Sequence, residues 1–196
     1  MAQRYAILVL MLCASVTAAA AGEAVAAATR FVIVPERSRV EYVSGTQLGD
    51  FRGGTGRVTG EVVFDAGAPA RAEAFVAVQA QELKSDNAIR DAHLRDKVIE
   101  VGRFPAITLK AREFRPADGA NGARGEGILA GTLTLHGIER PVSIPLRYSV
   151  DHGILQATAR FSINLGDFAL VPPRMLGLSV RNEVVVEARL VGEPSR

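Results

Sequence analysis

From Leu178 to Val191 the even positions read Leu178, Val180, Asn182, Val184, Val186, Ala188 and Leu190, while the odd ones include Ser179, Arg181, Glu183, Glu187 and Arg189. Six of those seven even positions are apolar, a period of two that a helix of 3.6 residues per turn would scramble. The segment is therefore expected to be one strand with a single polar intruder, Asn182. Pro141 to Val150 alternates in the same way, with Val142, Ile144, Leu146, Tyr148 and Val150 on one face. Ile154 to Ile163 follows, carrying Leu155, Ala157, Ala159, Phe161 and Ile163 on one parity, and Ile107, Leu109 and Ala111 begin another such strand.

The separators are turn chemistry. Asp65-Ala66-Gly67, Asp118-Gly119, Asn121-Gly122 and Asp151-His152-Gly153 supply side-chain turns or residues tolerant of positive φ. The last of these, between two alternating runs, predicts a hairpin. Glycines within the strand-like stretch GDFRGGTGRVTGEVVFD, 49–65, permit the bulges and coiling a closing sheet needs. About eight strands at such spacing imply one all-β domain, an antiparallel barrel or sandwich between which the pattern does not choose.

One block departs from this pattern. NAIRDAHLRD, 87–96, packs four charges and a histidine into its last seven positions. Asp86 to Val98 contains neither glycine nor proline, and Ser85, Asp86 and Asn87 are good N-cap residues. A short helix is expected over this segment. Its apolar stripe, with Ile89, Ala92 and His93 on one side and Leu94 and Val98 on another, suits the rim of a β structure and not a core.

The N-terminus is expected to be removed. One positive charge, Arg4, precedes an apolar run from Tyr5 to Cys13 and then small residues with A-x-A sites, the layout of a secretory signal peptide over 1–21. The run is short for a membrane span of about 20 residues, and Leu12 before Cys13 is not the small residue that a lipoprotein signal requires. Export to the periplasm is the expectation, with cleavage falling between 20 and 28 and one domain occupying 30–192. Cys13 is the sole cysteine, so the exported chain has neither disulfide nor thiol chemistry. Loss of Arg4 leaves 22 basic against 21 acidic residues, with no basic stripe, which argues against a nucleic-acid partner.

RDAHLRD at 90–96, RFPAITLKA at 103–111 and GTLTLHGIERPVSIPL at 131–146 together resemble the YceI-like family of polyisoprenoid-binding proteins. FVIVPERSRVEYVS at 31–44, the 49–65 stretch and INLGDFAL at 163–170 extend the likeness over nearly the whole of 31–192. The resemblance implies a lipocalin-like antiparallel β-barrel whose interior holds a long isoprenoid lipid, such as a prenyl quinone or polyprenyl phosphate, for transport, storage or protection. There are departures: Val98 and Ile99 stand where relatives commonly carry aromatics, the chain has no tryptophan, and the loop 171–178 is compact.

On that reading the apolar tunnel candidates are Val40, Tyr42, Leu133, Leu135, Phe161, Ile163 and Phe168, against the alternative that they only pack on one another. The polar-mouth candidates are Arg90, Asp91, His93, Arg95 and His136. Arginine can hold a pyrophosphate by paired donors and histidine can donate to an oxygen. The competing reading is a self-stabilised lid, with Asp91 and Arg95 paired four residues apart and His136 tying a loop. No cofactor and no metal are expected, since His93, His136 and His152 form no short ligand motif and no G-x-S-x-G occurs. An enzyme using Asp91, His93 and His136 is thus the weaker rival. The other rival is an interaction module with a filled barrel that docks on an envelope protein. Met175, Leu176 and Leu178 beside Pro172-Pro173 would then be an apolar docking tip, or else a gate to the tunnel. A transient membrane contact and a homodimer, through a strand edge or the apolar mouth, stay open.

Overall fold

The structure, a computed structural model, describes residues 28–172, 174–175 and 178–195. The expected signal peptide, 1–21, lies outside the described residues, as does Leu176; for Met175 and Leu178 only the backbone is described.

Among the described residues the alternating segments become thirteen strands: β1 (Thr29–Ile33), β2 (Arg39–Thr46), β3 (Gly49–Thr55), β4 (Val58–Phe64), β5 (Glu73–Gln79), β6 (Lys84–Ser85), β7 (Ala106–Pro116), β8 (Arg124–Leu135), β9 (Ile138–Asp151), β10 (Ile154–Asn164), β11 (Arg174–Met175), β12 (Leu178–Ser179) and β13 (Glu183–Pro194). Strands β1, β4, β5, β7, β8, β9, β10 and β13 follow one another around a sheet that closes because β13 also pairs with β1. Every pairing is antiparallel. The choice the periodicity leaves open is settled as an eight-stranded barrel, which has no free edge around its ring.

Two of the staves are kinked. β13 offers one edge to both β1 (Ile33 opposite Gly192) and β2 (Val43 opposite Val185), so β1 and β2 are halves of one stave broken by the 3₁₀ turn Pro35–Arg37. β4 pairs with β1 and β3 with β2, a second stave bent at Gly56-Arg57. Beyond the bend β3 leaves β5 behind and pairs with β6. The wall is completed there by β6, the helix α1 (Ala88–His93) and a wider π-type stretch, Leu94–Ile99.

The helix is shorter than the uninterrupted run Asp86–Val98 suggested. Asn87 caps it, its side-chain oxygen accepting from the N–H groups of Ile89 and Arg90, both at 3.0 Å. Over Leu94–Ile99 the backbone widens, and it ends at Glu100 in the left-handed region, φ 53°. The widening turns Val98 and Ile99 inward. Ile99 packs with Val58, Val76, Val78 and Leu83, and Val98 with Leu133, Leu135, Phe168 and Leu170. Ile89, assigned to the apolar stripe by its spacing, instead stands 74% exposed.

At the far end an aromatic floor closes the barrel. The Tyr148 ring meets Phe64 edge-on at 5.1 Å and Phe114 at 5.7 Å, and its hydroxyl donates to Asn121 O at 2.6 Å. Phe31, Leu129, Ile144 and Leu155 complete this cluster. Each such side chain contributes about 1.5–3 kcal/mol on burial.

The hairpin expected at residues 151–153 is present, with His152 at φ 48° and Gly153 at φ 75°, the two positive angles of a type I′ turn. His136 (φ 53°) and Gly137 (φ 72°) make the same turn between β8 and β9. The single strand expected from Leu178 to Val191 is corrected. β13 begins at Glu183, and Leu178–Ser179 pairs instead with Arg174–Met175. The N–H of Arg181 donates to Gly45 O at 2.8 Å, and Asn182 accepts from Gly166 N at 2.9 Å. These ties draw residues 180–182 out of the ladder.

Candidate functional site

Inside the barrel lies a cavity of about 740 Å³, reaching from the aromatic floor to the end where β2 meets β3 and α1 lies. Its walls follow from the strand period: the inward parity of β10 supplies Ala157, Ala159, Phe161 and Ile163, and that of β13 supplies Val184, Val186, Ala188 and Leu190. Space remains because several inward positions are small. Ala159 sits directly opposite Ala188 across the β10–β13 ladder, and both stay half-buried.

Six of the seven apolar candidates border this cavity: Val40, Tyr42, Leu133, Leu135, Phe161 and Ile163. Phe168 does not. It is 2% exposed and fills the space under the turn Leu165–Phe168, against Val98, Leu133, Leu135 and Leu170. The inward faces of β10 and β13 are visible in the sequence, yet of their lining residues only Phe161 and Ile163 stand among the candidates. The period-2 pattern was the signal that could have found the rest.

The polar candidates divide. Arg90 and, one turn on, His93 line the cavity at its open end. The Arg90 guanidinium lies over the Phe51 ring at 4.4 Å, donates to Ser85 Oγ at 3.1 Å and pairs with Asp86. Asp91 is turned away from the cavity and is 6% exposed, its Oδ1 accepting from Ser85 N at 2.9 Å and Ser85 Oγ at 2.5 Å. Burial pushes that carboxyl up, but the Ser85 hydrogen bonds and the nearby Arg95 and Arg90 outweigh it and hold it below its ordinary value. The expected Asp91–Arg95 pair is thus replaced by a tie between the helix and β6. Arg95 lies on an outer depression with Asp96, Lys97 and Arg103.

His136 is a turn residue and not a lining one. Its ring packs edge-on against Phe104 at 4.5 Å, Nδ1 lies 3.4 Å from Phe168 O, and Nε2 is 3.5 Å from Glu100 Oε1, at the outer limit of a hydrogen bond. The second His-Gly pair, at 152–153, is the signal that would have marked it as turn chemistry. Among the described residues no group of three or more His, Cys, Asp or Glu is placed to hold a metal ion.

Sequence reasoning also passed over the orphaned hydroxyls. Tyr42 and Ser44 project inward from β2 and line the cavity, and neither hydroxyl has a hydrogen-bond partner among the described residues. Tyr42 lies flat over Gly53, its cross-strand neighbour, where a Cβ would come within 2.4 Å of the ring. The glycine makes room for the ring. Burial, then the charge of Asp91, pushes the Tyr42 phenol above its ordinary pKa, so it stays a neutral donor.

The geometry has recognisable relatives. The solved structure of BcnA from Burkholderia cenocepacia superposes with a TM-score of 0.73 at 18% identity, covering 81% of this chain and 98% of that one. A polyisoprenoid binding domain from Saccharophagus degradans, implicated in plant cell wall breakdown, superposes at 0.66 with 15% identity, over 86% of this chain and 99% of its own. The YceI protein of Campylobacter jejuni gives 0.55 at 16% identity, over 71% and 81%. In sequence, a UPF0312 protein of Yersinia enterocolitica is 33% identical over 86 residues, which is 43% of this chain. The match spans 42% of the length of that relative. The YceI-like domain model matches residues 31–192. The chain belongs to the YceI-like domain family.

Proposed function

We propose that the barrel binds one long isoprenoid chain in its interior and serves to transport, store or shield that lipid without chemically changing it. The observation that carries this reading is the cavity: about 740 Å³, walled almost wholly by apolar side chains and open at one end. That volume falls in the range of about 300–1,000 Å³ typical of small-molecule sites. At about 30 Å³ per water-sized group it holds on the order of 25 carbons, roughly five isoprene units. The family and the polyisoprenoid-binding neighbour support the same reading.

The energetics suit a carrier. An isoprenoid hydrocarbon makes no hydrogen bonds, so its affinity comes from apolar surface removed from water, about 0.8 kcal/mol per CH₂. Some tens of carbons would on paper exceed the ceiling of about 18–21 kcal/mol. Extraction from a bilayer and ordering of the chain offset most of that, leaving a complex that can release. The rim offers a place for exchange: Leu48 and Ile89, both bordering the cavity, are 79% and 74% exposed. In this proposal the chain is exported to the periplasm and the rim makes transient contact with a membrane or an envelope protein, while a homodimer across the same rim would be its resting form.

Photo-cross-linking tests the proposal. An isoprenoid bearing a diazirine at its tail is expected to label inward residues of β10 and β13, such as Phe161 and Val186. Labelling confined to outward residues would favour a filled docking module instead.

A further inference from the structure

The inner face of β2 is not uniformly apolar. Positions 40, 42, 44 and 46 point to the cavity, and the run changes from Val40 to Tyr42, Ser44 and Thr46 as it nears the open end. Ser44 is 4% exposed. Its hydroxyl and that of Tyr42 are buried and unpartnered among the described residues, two residues apart on one strand face. Buried hydroxyls in native structures nearly always have a partner, and two neighbouring exceptions lining a cavity mark where a ligand oxygen belongs.

The charges around them select the kind of oxygen. Among the described residues the one arginine on the cavity wall, Arg90, is already engaged with Asp86 and Ser85 and stacked on Phe51, which stands opposite Ser44 in the β2–β3 ladder. The acidic residues that border the cavity, Glu41, Asp50 and Glu73, stand on the outward parity of their strands, with Glu41 paired to Arg39 and Asp50 to Arg181, so they do not face the two hydroxyls. A phosphate here would be buried among apolar side chains with no uncommitted guanidinium among the described residues to balance it. A hydroxyl or carbonyl oxygen would meet two donors that can also accept.

We infer that Tyr42 and Ser44 form the head-group subsite of the cavity and that it selects an uncharged oxygen, an alcohol or a quinone-type carbonyl, over a phosphate. The inference rests on the proposed binding of an isoprenoid chain and narrows it. The lipid lies with its head beneath α1 and its tail toward the aromatic floor.

The test is a titration of three probes of equal chain length: geranylgeraniol, geranylgeranyl monophosphate and the corresponding head-free hydrocarbon. The wild type should bind the alcohol about tenfold more tightly than either of the others. In Y42F and S44A the alcohol-to-hydrocarbon ratio should fall toward one. Y42F removes a buried hydroxyl without a partner, so the lipid-free variant should melt no lower than the wild type. A phosphate bound as tightly as the alcohol, an unchanged ratio in both variants, or a marked loss of stability in lipid-free Y42F would each overturn the subsite. If neither alcohol nor hydrocarbon binds, the chain-binding reading falls and the subsite with it.

Discussion

Replacing Ala159 by leucine distinguishes an open interior from a filled one. Ala159 faces the cavity from the middle of β10, opposite Ala188 on one side and Leu146 on the other. The larger side chain adds three carbons. If they enter open space, burial contributes about 0.8 kcal/mol each, and ordering the new rotamers costs about 0.5–1 kcal/mol. The lipid-free variant should therefore gain about 1.5 kcal/mol, or about 3–6 °C in melting temperature for a chain of this size. In an already packed interior the same change would cost about 1–3 kcal/mol through strain. The sign alone decides, and urea unfolding of the lipid-free protein reads it. The leucine also removes about 90 Å³, three groups at about 30 Å³ each, so capture of a chain that fills the cavity should weaken by up to about fiftyfold. A destabilised variant with unaltered lipid binding would refute the argument from an open cavity.

Three further outcomes follow from particular contacts. Asn87→Ala should cost about 1 kcal/mol by uncapping α1, visible as faster amide exchange at Ile89 and Arg90; equal exchange rates would mean that the cap is idle. Asp91→Asn should cost about 1–3 kcal/mol by weakening its hold on Ser85. Because the folded carboxyl lies below its unfolded value of about 3.9, the wild type should keep this contribution above about pH 4 and lose it as pH falls through the lowered folded value. The variant should lack that acid-side loss, and matching pH–stability curves would remove Asp91 from the account. Gly53→Ala should displace the Tyr42 ring, costing about 1–3 kcal/mol and altering the near-ultraviolet tyrosine signal; an unchanged signal would show that the ring has room to spare.

The strands were legible because a period of two survives whatever the other face of the sheet meets. That is why the inward sets of β9 and β10 come out of the sequence residue by residue. The break before β13 was not legible, since Leu178 and Val180 continue the alternation; it arises from the distant ties of Arg181 to Gly45 and of Asn182 to Gly166. The short helix shows both sides of the problem. Its cap at Asn87 follows from local chemistry, but the four-residue spacing points Asp91 at Arg95, and a hydrogen-bonding serine six residues upstream on β6 wins it instead. His136 was drawn into the site by its chemistry, and the positive φ it shares with His152 assigns it to a turn. The cavity itself was beyond pattern reading. Whether facing alanines such as Ala159 and Ala188 leave a void depends on how the staves close, and only the three-dimensional register places them opposite each other. The orphaned hydroxyls of Tyr42 and Ser44 are likewise invisible until every neighbour has been placed.

Native mass spectrometry would show whether this barrel holds a single lipid chain. The protein would be isolated without detergent and then incubated with prenols of increasing length. A one-to-one adduct is expected that becomes more resistant to dissociation up to about five isoprene units, the capacity of the cavity, and gains little beyond. A bare protein mass at every length would contradict it.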